Sequence, residues 1–363
     1  MPDDRREDDL EAGVDGWLGA MGAPRRLRPE LTTVGVDEAV VHHGRHVERF
    51  ADLSPDTSYE WGGFSLRTLP ACGELLSTVA TVNDVHFGEE VCGHISGSDI
   101  GPVFRSEPGE APYPEVMSEG AVEEIAALDP DLVLVKGDLT SNGTVAEYDE
   151  FRAVYEPAFD GRLLVVRGNH ESYNHATFAS EPFQLRDLPG VRVVLLDTSI
   201  DGGVAGTLSD EQLEWLDTMC AEADRPVLVF GHHPVGDRNS KEASDRNFGI
   251  DVDVSESLVE IAARRPRFAG YFAGHTHRNR LRRFASAGDV PWGEVACVKD
   301  YPGAWAEYRV YEGNVVQVMH RISTSAALAW TDKTRHMFEG LYRDYAFGSL
   351  ADRCFSWTPR RGR

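Results

Sequence analysis

The stretch Arg167-Gly168-Asn169-His170-Glu171 places an amide oxygen beside an imidazole, directly after the apolar run Leu163-Leu164-Val165-Val166. That pair suits a metal site better than a hydrophobic core. Gly168 permits a sharp turn at the end of the strand that the apolar run predicts. Asn169 and His170 then fall at the C-terminal edge of a sheet, where open α/β folds bind ligands. Turns favour Gly and Asn for plain structural reasons, so this stretch alone carries little weight. Four companions change that: Asp84-Val85-His86, Gly137-Asp138, Gly231-His232-His233-Pro234 and Gly274-His275-Thr276-His277. Each follows an apolar run of its own.

The elements that must hold these residues can be read from the same runs. Ser77 to Val82 is a β-branched strand ending before Asp84. Leu132 to Val135 leads to Asp138, Val227 to Phe230 leads to His232, and Tyr271 to Ala273 leads to His275 and His277. Helices are predicted from Pro114 to about Ala127, from a capping box at Thr144 through Tyr155, from a second box at Ser209, and from Ser255 to Arg264. Residues 87 to 114 carry Gly and Pro without periodicity, and a loop of that length inside a domain is usually functional or disordered. Arg280–Phe284, Gly293–Val298, Trp305–Tyr311 and Val315–Ile322 alternate as an antiparallel sheet would. A closing helix is expected from Thr331, as N-cap, to Tyr345.

Together the five stretches, in this order, resemble the motifs of the calcineurin-like metallophosphoesterases over about residues 75 to 285. The resemblance implies an α/β fold, a four-layer α/β/β/α sandwich of two mixed sheets between helices. It also implies a binuclear centre of two divalent or trivalent transition metals, Mn, Fe or Zn. Two such ions about 3.5 Å apart can clamp the attacking and leaving oxygens of a phosphoryl transfer. Carried over residue by residue, Asp84, His86 and His277 hold the first metal, Asn169, His232 and His275 the second, and Asp138 bridges them. Asp138 and His170 are then the catalytic residues: a metal-bridging hydroxide attacks, and His170 serves the leaving group as general acid. In the family the ligand histidine lies two residues before the proline, so Pro234 selects His232 over His233. His175 reads as a substrate-side residue or a solvated loop histidine, with the second favoured. Lys299-Asp300-Tyr301-Pro302-Gly303 could sit near the site mouth, its lysine on a phosphate or in solvent.

Residues 39 to 70 resemble the closing strands of a fibronectin type III module, as found before the catalytic domain of purple acid phosphatases. A full sandwich of that kind needs about 100 residues. The implied organisation is a flexible tail over 1–28, a truncated β appendage over 29–72, the phosphoesterase domain over 73–325, and a C-terminal helix and tail over 326–363. His42, His43 and His46 read as exposed strand histidines. Thr140 stands where purple acid phosphatases carry a tyrosine ligand, and His86 is a ligand that group usually lacks. Gly137-Asp138-Leu139-Thr140-Ser141-Asn142-Gly143 resembles instead the class III cyclic-nucleotide phosphodiesterases and glycerophosphodiesterases.

Composition bounds the partners. The chain has 363 residues, 41% hydrophobic, with 60 acidic against 36 basic side chains and a formal net charge of -24. That surface repels nucleic acid and anionic lipid, which disfavours a nuclease. No apolar run reaches the ~18 residues of a membrane span, and the charged N-terminus is no signal peptide, so a cytoplasmic protein is expected. Five scattered cysteines without Cys-x-x-Cys spacing argue for free thiols. The expected activity is hydrolysis of a small phosphodiester, with cyclic nucleotides or glycerophosphodiesters leading. The alternatives are a phosphomonoesterase of the same superfamily and an inactive metal-bearing scaffold.

Overall fold

The computed structural model describes residues 29–360 apart from 62, 96 and 97; the tail expected over 1–28 lies outside the described residues. The strands are β1 (Glu30–Val34), β2 (Ala39–His43), β3 (His46–Phe50), β4 (Ser58–Trp61), β5 (Phe64–Arg67), β6 (Leu75–Val82), β7 (Leu132–Lys136), β8 (Leu163–Val166), β9 (Phe183–Leu188), β10 (Val191–Leu196), β11 (Val227–Gly231), β12 (Phe268–Ala273), β13 (Arg280–Arg282), β14 (Trp292–Glu294), β15 (Ala304–Tyr311), β16 (Val315–Arg321) and β17 (Phe355–Trp357). One six-stranded sheet runs β17-β16-β15-β6-β7-β8 and a second runs β13-β14-β12-β11-β10-β9. The long helices are α1 (Tyr113–Leu128), α2 (Val145–Phe159), α3 (Asp210–Glu222) and α4 (Val252–Arg264).

Hydrophobic burial fixes the layering. Val79, Leu132, Leu134 and Val166 of the first sheet meet Val193, Leu195, Phe230 and Phe272 of the second in a shared core. The outer face of the first sheet packs under α1 and α2 through Met117, Ile125, Phe151 and Tyr155. The outer face of the second packs under α3 and α4 through Leu216, Leu258 and Ile261. The result is the expected α/β/β/α sandwich. Both predicted capping boxes, Thr144 with Glu147 and Ser209 with Gln212, are formed.

Register brings the strand ends level. β6, β7 and β8 are parallel, pairing Val82 with Val135 and Lys136 with Val166. Asp84, Asp138 and Asn169 therefore leave one edge together. β11 and β12 are also parallel, pairing Phe230 with Phe272, so His232 and His275 leave the second sheet at one level. Lys136 Nζ crosses between the sheets to donate to the Ala273 carbonyl at 3.0 Å.

Several expectations need correction. The four late strands do not form one antiparallel sheet: β13 and β14 join the second sheet, and β15 and β16 the first. The helix expected from Thr331 to Tyr345 is two helices, Ser325–Thr334 and Leu341–Phe347. Thr324 caps the first, accepting from Ala327 N–H, while Thr331 is buried within it. Phe338, Glu339 and Gly340 have positive φ and break the run. Beyond them β17 pairs with β16, so the C-terminal stretch completes a sheet.

Strands β1, β2 and β3 form one antiparallel sheet and β4 pairs with β5. Val34, Val36 and Leu66 pack on Val316 and Val318 of β16, so this unit is seated on the sandwich. His43 and His46 are exposed, but His42 is not. It is buried between Thr32 Oγ1 at 2.9 Å and Ser323 Oγ at 3.2 Å, because β2 is covered on that face. Glu30 anchors the unit: it accepts from Arg321, Arg335 and Arg343 at 3.0, 2.7 and 2.9 Å and from Tyr301 OH at 2.9 Å. Burial works to raise the Glu30 pKa, and the three guanidiniums more than offset it. Among the described residues no helix is long and apolar enough to cross a membrane. All five cysteines are free thiols.

Breaking one side of a buried ion pair typically costs about 3–5 kcal/mol, against about 0.3–0.5 for an exposed helical pair. Glu30→Gln is therefore expected to lower unfolding stability by about 3 kcal/mol or more in urea titration, and Glu156→Gln, which removes the exposed partner of Arg152, by less than about 0.5. Equal losses in the two variants would show that Glu30 does not hold the N-terminal unit in place.

Candidate active site

The seven carried-over residues lie together at the C-terminal edges of both sheets. Asp84, His86 and His277 form one group whose ligand atoms all lie within 4.8 Å of one another. His277 Nε2 is 3.4 Å from Asp84 Oδ1, and His86 Nε2 is 3.5 Å from Asp138 Oδ2. On the other side, His232 Nε2 is 3.3 Å from the same Asp138 Oδ2 and 3.0 Å from Asn169 Oδ1. The rings of His232 and His275 are 5.0 Å apart. Asp138 thus stands between the two groups, and its Oδ1 accepts the backbone N–H of His170 at 3.0 Å.

Two turns make this approach possible. Gly168 is where β8 passes beneath Asp138: a Cβ there would lie 2.2 Å from Asp138 Oδ1. Glu171 locks that turn to the neighbouring one. Its Oε2 accepts Gly168 N–H at 2.7 Å, and its Oε1 accepts the N–H and hydroxyl of Thr140 at 2.7 and 2.6 Å. Burial, with Asp138 nearby, raises the Glu171 pKa. Five of the seven residues, Asp84, His86, Asp138, His275 and His277, have φ between 50° and 66°. Such non-glycine conformations cost of order 1–3 kcal/mol each and collect at functional sites.

The electrostatics fit bound cations. His86 and His275 are buried, and neither His86 nitrogen nor His275 Nε2 has an aligned hydrogen-bond partner among the described residues. Burial, with His170 beside one and His233 beside the other, keeps both rings neutral, the form that ligates metal. Burial also opposes charge on His232, but Asp138 outweighs it and raises that pKa to about 9. Burial opposes charge on His277 too, yet Cys297 and Asp84 drive its pKa well above the ordinary value. Burial tends to raise the Asp138 pKa, and His232 foremost, with His170, holds it well below the carboxylate range. His232 Nδ1–H donates to the Lys136 carbonyl at 2.9 Å, which fixes its tautomer and leaves Nε2 for a ligand role. Two carboxylates, an amide oxygen and four imidazoles are a donor set suited to first-row transition metals.

The other singled-out residues sort themselves by their partners. His233 is buried with Nδ1 at 2.8 Å from Thr198 Oγ1 and Nε2 at 3.1 Å from the Val204 carbonyl, so both nitrogens are used within the fold. His175 has a side chain 60% exposed and pairs with Asp201 at 3.2 Å, away from the cleft. His170 Nδ1 is 2.9 Å from the Ser141 carbonyl and 2.7 Å from Tyr173 OH, which leaves Nε2 open. With His86 and Asp138 it forms a further metal-capable group, so geometry alone places it at the centre without separating ligand from acid.

A cavity of about 620 Å³ opens beside these residues, a size that suits a small ligand. Val91, Ile95 and Val103 of the 87–114 loop and Met337 and Phe338 of the C-terminal segment form its apolar walls. Glu89, Lys299 and Asp300 line it too. Lys299 is neither solvated nor free for a phosphate: it is buried against Glu89. Sequence reading missed Glu89, although it lies one turn after His86 in the same loop. It also missed Tyr342 and Met337, which reach the cavity from a part of the chain with no local motif.

Residues 77–279 match the family model described as "Calcineurin-like phosphoesterase". A probable glycerophosphodiester phosphodiesterase of Arcobacter nitrofigilis is 30% identical over 161 residues, 41% of this chain and 57% of that protein. A 3',5'-cyclic adenosine monophosphate phosphodiesterase of Pseudomonas aeruginosa is 34% identical over 200 residues, 51% of this chain and 69% of that one. The match thus spans little more than half of the first relative and about two thirds of the second. A dimetal phosphatase from Danio rerio shares the fold, with a TM-score of 0.55 and 16% identity over 68% of this chain and 97% of that one.

Gly168→Ala is expected to fold with unchanged circular dichroism and to lose bound metal, since its methyl would collide with Asp138. Misplacement of a reacting group by about 1 Å can cost 10²-fold in rate. Wild-type metal content in this variant would show that the turn has slack.

Proposed function

Because the chain belongs to the calcineurin-like phosphoesterase family, we propose that it hydrolyses small phosphodiesters with the aid of two bound transition metals. The observation that carries the reading is the placing of Asp138 between two groups of metal-capable side chains, on the wall of a cavity with apolar sides. In this reading Asp84, His86 and His277 hold one ion, Asn169, His232 and His275 the other, and Asp138 both. Ions bound there would polarise the phosphoryl oxygens and lower the pKa of water to within reach of neutral pH.

The chain's own residues supply the rest. Glu89, Asp138 and Asp300 line the cavity with Arg105 at its exposed side, and Lys299 is committed to Glu89. Bound cations would offset the carboxylates at the centre of the cavity and attract an anionic phosphate to them, which supports metal dependence. The apolar walls give an ester group a surface to rest on, which favours a diester over a dianionic monoester. The names of the relatives favour a glycerophosphodiester or a cyclic nucleotide. His170, with Nδ1 held by the Ser141 carbonyl, presents Nε2 to the cavity and donates a proton to the leaving oxygen. Mn, Fe and Zn all suit the donor set. For organisation we propose the β appendage at 29–72 and the catalytic domain at 73–325, with β17 reaching back from the C-terminal stretch to join the first sheet. A small phosphate ester is the proposed partner; the acidic surface argues against nucleic acid.

Dialysis against a chelator is expected to abolish hydrolysis of bis(nitrophenyl) phosphate and added Mn to restore it, with Asp138→Asn the most damaging single ligand change. Full activity in metal-free protein, or a clear preference for the mononitrophenyl ester, would refute the reading.

General acid catalysis typically contributes 10²–10⁴-fold, less when the leaving group is already good. His170→Ala should retain its metals, lose activity in that range on alkyl diesters and lose less on nitrophenyl diesters. Equal losses with loss of metal would make His170 a ligand.

A further inference from the structure

We propose that Lys299, acting through the carboxylates of Glu89 and Asp300, positions the two imidazoles of the first metal site and thereby sets that site's affinity for its ion. The inference rests on the two-metal reading above. His86 and His277 both turn Nε2 toward the carboxylates at the centre, 3.5 Å from Asp138 Oδ2 and 3.4 Å from Asp84 Oδ1. Both turn Nδ1 outward to face a second carboxylate at ion-pair distance, not yet closed to an aligned hydrogen bond: His86 to Glu89 Oε2 at 3.4 Å, and His277 to Asp300 Oδ2 at 3.8 Å. A carboxylate behind a ligating imidazole fixes the ring's tautomer and orientation and raises its basicity.

Lys299 joins these two carboxylates. Its Nζ donates to both oxygens of Glu89, at 2.7 and 2.6 Å, and stands 3.8 Å from Asp300 Oδ2. The oxygen of Glu89 that faces His86 is thus also held by the lysine. Asp300 is fixed from its other side, where Oδ1 accepts from Tyr342 OH at 2.7 Å and Cys297 Sγ–H at 3.0 Å. Lys299 and Asp300 are 6% and 2% exposed and the Glu89 side chain 16%, so the bracket is largely shielded from solvent. It also pins the loop after β6 to the segment between β14 and β15. Without the ammonium, the buried Asp300 and the part-buried Glu89 carboxylates would face the cavity unneutralised and repel each other. Among the described residues the second site is supported differently: His232 is oriented by the Lys136 carbonyl.

The test is Mn titration of chelator-stripped full-length protein, with free Mn counted by electron paramagnetic resonance. Wild-type protein is expected to bind two ions. Lys299→Met and Glu89→Gln should each weaken one of the two by about 10–100-fold and leave the other unchanged. The double variant should weaken the same ion and leave the other unchanged, by less than the two single losses combined, because the lysine acts in part through the glutamate. Lys299→Arg, which keeps the charge, should recover much of the loss, which a merely structural role in the metal-free fold would not predict if all four chains melt alike without metal. If Lys299→Met fails to fold, the near-isosteric Glu89→Gln decides. Two ions bound with wild-type affinity in Glu89→Gln, or both sites weakened equally, would overturn the inference. Fewer than two ions in the wild-type protein would overturn the two-metal reading and this inference with it.

Discussion

A single buried carboxylate, Asp138, organises this molecule. It lies just beyond β7, in the middle of the parallel part of the first sheet, and faces His86 from β6 and His232 from the second sheet. Burying such an anion without partners would be prohibitive. Here the surrounding imidazoles hold it ionised, and the backbone of His170 donates to it directly. The neighbouring chain must come very close for this to work, which is why β8 exits through a residue with no side chain. Glu171 then ties that exit to the turn after Asp138 through three donors.

The strain of the site is supported by the regularity beneath it. Five left-handed side-chain-bearing residues would not persist on a mobile loop. They persist at the ends of β6, β7 and β12 because those strands are pinned in register and buried between helices and a second sheet. The core shared by the two sheets sets how far apart the strand edges lie, and so sets the spacing of the groups on either side of Asp138. The N-terminal strands add to the same frame from behind: Glu30 gathers arginines from β16 and from the C-terminal segment that also walls the cavity.

Much of this was legible because strand ends and chemistry coincide in sequence. Apolar runs such as Leu132–Val135 and Val227–Phe230 announce buried strands, and the residues after them must emerge at one edge. Caps at Thr144 and Ser209 were readable since both partners lie within three residues. What sequence could not give was long-range. β17 is three residues long and owes its place to pairing with β16, a strand well before it in the chain. His42 looked like an exposed strand histidine until Ser323 was found against it. Thr331 looked like a cap until Arg321 was found on its hydroxyl. The bracket of Glu89, Lys299 and Asp300 joins residues about two hundred positions apart: the Lys299-Asp300 stretch is legible as a turn near the site mouth, but its pairing with Glu89 is not.

The central claim is that two metals share Asp138. Anomalous diffraction from crystals of the protein soaked in Mn tests it directly. The account predicts two anomalous peaks about 3.5–4 Å apart, flanking the Asp138 carboxylate. One of them should lie among Asp84, His86 and His277, and the other among Asn169, His232 and His275. A single peak, or two peaks of which neither touches Asp138, would contradict it.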